Sequence, residues 1–202
     1  MTSAVAVSAS GSRCYVIALV RSHLYLQVMM ETKEIKVFLT QDELYQAAIV
    51  GAHRHITCLF SKGARPGGRP HYDASNEWNT SIEGCCGELA FAKWCGKYWT
   101  GGSFNAKEAP KDVGNKQVRH TVYKTGRLII YPHDNPDDDF VLVTGKAPFY
   151  NIRGWVNGLE IQMLGKTHPW WNTECEAGSW WVPQESLRPM PHSLAIHESS
   201  QA

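Results

Sequence analysis

The sequence predicts an α/β chain of the α+β type: a central mixed, mostly antiparallel sheet with helices packed on it. Three observations lead there. Helical patterns stand first in the chain, short strand patterns follow, and turn dipeptides separate the strands: Gly114-Asn115, Thr125-Gly126, Asn135-Pro136 and Asn157-Gly158. A length of 202 residues with 43% hydrophobic and 19% charged residues suits one well-buried domain. That domain is expected over 31–190, after an N-terminal extension over 1–30 and before a polar tail over 191–202. The extension is either an added strand pair, from Tyr15–Val20 and His23–Met30, or poorly ordered.

Elements follow in order. Glu34 to Leu39 alternates as a strand does. Thr40-Gln41-Asp42-Glu43 fits a capping box, in which Thr40 accepts from the amide three residues on and Glu43 reaches back. The helix it opens carries Leu44, Ala47 and Ala48 and is allowed to run to Phe60. Lys62 to Asn76 is a loop, punctuated by Arg65-Pro66-Gly67-Gly68-Arg69-Pro70. Arg65 and Arg69 are candidates to touch phosphate, against the plainer reading of a solvated loop. A second helix is expected from Thr80 or Ser81 to about Cys95. Strands follow at Lys116–Tyr123, Arg127–Tyr131, Phe140–Val143, Tyr150–Val156, Leu159–Leu164 and Trp180–Val182.

Composition excludes some functions. A net charge of +1 offers no bulk attraction to polyanions, so a nucleic-acid partner would need a local basic face. The six cysteines show no Cys-x-x-Cys pair, which argues against structural zinc and for reduced thiols. No apolar run approaches the roughly 18 residues of a membrane span, so a cytoplasmic location away from membranes is expected. Nine histidines form no zinc-protease motif, and there is no glycine-rich phosphate loop.

Two places carry candidate chemistry. Wound at roughly 100° per residue, the second helix sets Glu88 among Gly84, Cys85, Phe91, Ala92 and Cys95, with Glu83, Lys93 and Lys97 opposite. A carboxylate there needs a cation, a metal or strong donors. A buried arginine partner and a functional role both satisfy that need. Gly84 and Gly87, each costly inside a helix, suggest close approach of another backbone or a helix that starts later. Downstream, Asp112 to Arg119 reads as a hairpin with Gly114-Asn115 as its loop. Val113 then pairs with Lys116, and Asp112 shares a side with Gln117, Arg119 and Thr121, leaving Val118, His120 and Val122 on the other. If Glu88 packs over that patch, Glu88, Asp112 and the Gln117 oxygen offer hard-oxygen ligands for Mg²⁺ or Mn²⁺, which could activate water beside a phosphoryl group.

The motifs Gly84-Cys85-Cys86-Gly87-Glu88-Leu89-Ala90, Asp112-Val113-Gly114 and Val118-Arg119 resemble a set of uncharacterised phage and prophage proteins. So do Asp134, Phe140-Val141-Leu142-Val143, Gly154-Trp155, and Trp181-Val182-Pro183-Gln184 with Leu187. Through them the chain resembles the PD-(D/E)xK nuclease superfamily over most of its length. The resemblance implies a restriction-endonuclease-like core and a phage- or prophage-encoded, Mg²⁺-dependent DNA endonuclease, acting in the host cytoplasm. A homodimer is allowed. Glu88 takes the helix position and Asp112 the strand position. Gln117-Val118-Arg119 stands where Glu-x-Lys is implied. Gln117 weakens metal binding relative to a carboxylate. Arg119 cannot act as a base, though it can hold phosphate. Arg65, Arg69, Lys116 and Arg119 are then the nucleic-acid contacts. The alternative is a catalytically silent nuclease-like fold that binds nucleic acid or a host protein.

Three further features have plain readings. The acids of His133 to Asp139 suit a turn between strands better than an ion site. Trp170-Trp171 and Trp180-Trp181 suit core packing better than base stacking. A hydrolase built on Cys85 or Cys86 would need a base that the sequence does not identify.

Overall fold

The computed structural model describes residues 34–60, 77–101, 111–173 and 178–191. They all belong to one unit that begins at Glu34. The extension, Arg65, Arg69 and the tail beyond Pro191 lie outside the described residues.

Strand β1 (Ile35–Phe38) leads into helix α1 (Gln41–Phe60). The capping box forms as expected: the Thr40 amide donates to Glu43 Oε2 at 2.6 Å, and the Glu43 amide donates to Thr40 Oγ1 at 3.3 Å. Lys93 Nζ ties this end to the second helix, donating to Glu43 Oε2 and to the Phe38 carbonyl. Helix α2 (Glu77–Trp94) starts earlier than Thr80 and runs straight through both glycines. Gly51 explains how closely the helices meet, since a Cβ there would lie 2.6 Å from Ile82 Cα.

The remaining strands are β2 (Lys116–Thr121), β3 (Leu128–Ile130), β4 (Asp139–Lys146), β5 (Phe149–Asn157), β6 (Trp171–Asn172) and β7 (Ser179–Val182). They make two sheets rather than one. The larger has the order β1-β5-β4-β2, and the smaller β3-β7-β6. All pairs are antiparallel except β2 with β4, which is parallel. A parallel pair needs a crossover. Here the chain leaves the large sheet after β2, adds β3 to the small sheet, and returns as β4.

Strand β4 explains the two cores. Its unbroken apolar run is buried on both faces, with successive side chains pointing opposite ways. Val141 and Val143 meet helix residues Cys85, Leu89 and Phe91. Phe140 and Leu142 meet Leu128, Ile130, Trp180 and Val182 of the small sheet. Each such side chain, fully buried, contributes about 1.5–3 kcal/mol. Of the tryptophan pairs, Trp180 fills this second core at 4% exposure and Trp171 packs edge-on against it. Trp170 packs on the same core, while Trp181 is half-buried, in line with the packing reading.

One strand expectation is overturned. Leu159–Leu164 is not a strand; Gly158–Gln162 is a short helix, α3. Asn157-Gly158 is therefore a helix start, not a hairpin turn. The Asn157 side chain accepts from the Leu159 amide at 3.1 Å. Gly158 fits because a Cβ would lie 2.9 Å from the Phe140 ring.

Candidate functional site

Glu88 is buried, at 6% exposure, on a stretch of α2 from Cys85 to Ala92 that is buried all round. Its charge is met by α1. Arg54 grips it with both guanidinium ends: Nη1 donates to Oε1 at 2.5 Å, and Nη2 to Oε2 at 2.7 Å. The Trp99 indole donates to Oε2 at 3.0 Å. Arg54 is in turn anchored by the Gly101 carbonyl, which accepts from Nε at 3.0 Å and Nη2 at 2.6 Å. Two-pronged carboxylate–arginine pairing is the strong form of such contacts. Of the two ways to satisfy Glu88, the arginine partner is the one present.

Gly87 supplies the close approach. A Cβ there would stand 2.9 Å from His120 Cβ on β2, so α2 rests directly on that strand. Gly84 has open space around it and no such reason.

The hairpin forms as read from sequence. Val113 and Lys116 bridge, exchanging hydrogen bonds at 3.2 and 3.0 Å, and Gly114 takes the positive φ of 60° that its place in the turn requires. Asp112 then does something the pattern did not suggest. Its Oδ2 accepts from the Val118 amide at 2.7 Å, so it caps β2, the edge strand of the large sheet. Burial, and then the charge of Glu88, push the Asp112 carboxyl up to about 6, against the pull of the Val118 amide, Arg54 and Arg119. Glu88 and Asp112 therefore share one electrostatic neighbourhood with Arg54. Cys85 lies within the same field, and burial pushes its thiol up to about 12; burial also raises Cys86. Neither is an activated nucleophile.

The other candidates are placed elsewhere. Arg119 lies on the opposite face of the large sheet, over the Phe140 ring, and its Nη2 donates to Asp134 Oδ1 at 2.8 Å. Lys116 pairs with Asp139 at 2.6 Å and stacks over Trp155. Gln117 is half-buried on β2, between Lys116 and Val118, and by strand alternation faces with Arg119. The acidic turn does not present its carboxylates to solvent as a group. Asp134, Asp138 and Asp139 are bound to Arg119, Lys111 and Lys116, respectively.

A divalent cation would need oxygens that are free to turn to it. Both Glu88 oxygens and one Asp112 oxygen already accept hydrogen bonds. Among the described residues, no group of three or more His, Cys, Asp or Glu is gathered as ligands. The donor set as it stands fits a guanidinium, not Mg²⁺. Among the same residues, no helix is long and apolar enough to cross a membrane.

What the sequence missed is Arg54, the residue that answers Glu88. The signal was present, since Arg54 stands on α1 in register with buried Ala47 and Gly51, which marks the core-facing side. Compared with known proteins, the chain matches no family model, no curated protein and no solved structure.

Proposed function

We propose that this chain is a nuclease-like fold that binds nucleic acid without cutting it. The observation that carries the reading is the closure of Glu88 by Arg54 and Trp99, which leaves the acid no room to serve a metal without breaking a buried ion pair. Gln117 in place of a carboxylate and Arg119 in the grip of Asp134 point the same way. The PD-(D/E)xK resemblance, with its restriction-endonuclease-like core, supplies the expectation of a nucleic-acid partner. The helix that bears Glu88, packed on β2 beside the Asp112 hairpin, is compatible with such a core.

A second reading, a divergent Mg²⁺- or Mn²⁺-dependent DNA endonuclease, is favoured by the nearness of two acids: burial first, and then the charge of Glu88, raise the Asp112 carboxyl. Two acids in one field are what a divalent cation relieves. Glu88 and Asp112 would hold it, without Gln117, which faces the other side of the sheet, and it would supply an activated water and charge stabilisation.

One experiment separates the readings. Labelled branched, single-stranded and duplex DNA is incubated with the full chain, first in EDTA and then with Mg²⁺ or Mn²⁺. The silent fold retains DNA in EDTA and leaves it intact in metal. Cutting that disappears with Asp112→Ala establishes the endonuclease instead, and failure to retain any DNA at low salt removes both readings.

A further inference from the structure

The large sheet has one face against the helices. Among the described residues, its other face meets the small sheet around Phe140, Leu142 and Val156. The rest of that face can be read from register. Val37, Tyr150 and Val143 point to the helix core, so their strand neighbours point away from it. Phe38 pairs with Phe149, and Phe149 with Lys146. One row further in, Lys36 pairs with Asn151, Asn151 with Thr144, and Thr144 with Thr121.

Two properties stand out on this half-face. Its rings are bare: Phe149 is 65% exposed and Phe38 51%, and they lie against one another at 5.4 Å between centroids. At the border, the turn after β2 adds Tyr123, 72% exposed. Its charge is also one-sided. Arg153 lies across the face with Nε on Thr144 Oγ1 at 2.7 Å and Nη1 on Glu34 at 3.3 Å. Glu34 also pairs with Lys36. Lys36 first, and then Arg153 and Lys124, hold the Glu34 carboxyl below its usual range. Lys146 stands exposed in the outer row. Glu34 thus lies in the field of cations from three chain segments, Lys36, Lys124 and Arg153. On the helix side and in the acidic turn, by contrast, Arg54, Lys111, Lys116 and Arg119 each have a carboxylate partner.

We propose that this half-face binds single-stranded nucleic acid, with Phe38, Phe149 and Tyr123 stacking unpaired bases and Lys36, Lys124 and Lys146 following the phosphates. Exposed rings set among lysines along the outer row of a sheet suit strands whose bases are unpaired, because a duplex hides its base faces. The charge selects a polyanion rather than a second copy of this face, which would repel itself. The assignment deepens the preceding reading by naming the surface and the form of nucleic acid. It does not use Glu88 or Asp112.

The test is fluorescence anisotropy with a labelled oligothymidylate of about 20 nucleotides, long enough for several stacking sites, against the full chain in EDTA. Phe149→Ala and Phe38→Ala are each expected to weaken binding about five-fold or more. Lys36→Gln and Lys146→Gln should each lower the slope of log Kd against log salt by about 0.7. Lys166→Gln, beside Trp171 and away from this face, should change neither. All these positions are exposed, and thermal melts confirm that the variants fold. Retained DNA with no effect of the face variants overturns this surface while leaving nucleic-acid binding in place. Metal-dependent cutting overturns the silent fold while the face variants still report on the surface. Duplex bound as tightly as single strand, with no loss on ring truncation, overturns the stacking role. Phosphatidylserine vesicles bound through these residues while the oligonucleotide is not would assign the face to lipid and overturn the proposal.

Discussion

The two faces of the large sheet treat charge in opposite ways. Under the helices, Glu88 is buried and each of its oxygens accepts a donor, so its charge is used up inside the fold. On the far half-face, Lys36, Lys124 and Arg153 act on Glu34, Lys146 stands exposed in the outer row, and the rings of Phe38 and Phe149 are exposed. The first arrangement is closed, while the second leaves its rings and lysines exposed. The lesson is that an ionised group on an apolar helix surface demands a partner, and that the partner decides whether the group is structural or chemical.

Arg54→Ala should break the closed side most strongly. It leaves a buried carboxylate unpaired, at a cost of about 3–5 kcal/mol in chemical denaturation. Replacing both partners with apolar residues, Arg54→Met with Glu88→Leu, should restore most of that loss. A single variant as stable as the parent would mean that the pair does not hold the helices together.

Asp112→Asn sharpens the same side through pH. The folded carboxyl is raised to about 6 while the unfolded one stays near its ordinary value, so the folded state binds the extra proton. Stability should then fall as pH rises from about 4 to about 6, by up to about 3 kcal/mol, and level off above that. The asparagine keeps an acceptor for the Val118 amide and carries no charge, so its stability should be flat across this window and higher than the parent at pH 7. A parent protein with no slope in urea melts between these pH values would contradict the burial of Asp112 beside Glu88.

The glycines of α2 give a paired test of smaller size. Gly87→Ala meets His120 and should cost about 1–3 kcal/mol. Gly84→Ala meets open space and should gain up to about 1 kcal/mol. Equal effects at the two positions would mean that α2 does not rest on β2 there.

Lys146→Gln should have the smallest effect, within about 0.5 kcal/mol of the parent in stability. Its consequence belongs to binding, not folding.

Legibility followed the range of the interactions. The capping box, the Gly114 turn and the alternation of β1 are local, and the residues that make them are adjacent in the chain. The unusual place of Glu88 was visible too, because helix periodicity alone sets its neighbours. What answered it was not, since Arg54 arrives from another helix. The return of the chain from β3 to β4 was hidden for a similar reason: β3 belongs to a second sheet, so the turn residues between strands marked hairpins where the chain in fact changes sheets. Asn157-Gly158 misled because the same two residues serve a tight turn and a helix start equally well. The open half-face was the least legible feature. Lys36, Lys124, Lys146 and Arg153 are dispersed in sequence and form no charge run; only strand register and the turn after β2 bring them together.

Calorimetric titration of Mn²⁺ into the full chain at pH 7, read beside its thermal melt, bears most directly on the closure of Glu88. A centre already satisfied by Arg54 and Trp99 takes up no stoichiometric Mn²⁺ and leaves the melting temperature unmoved. A saturable site that stabilises the fold and is lost in both Glu88→Gln and Asp112→Asn would contradict that closure and return the two acids to a metal.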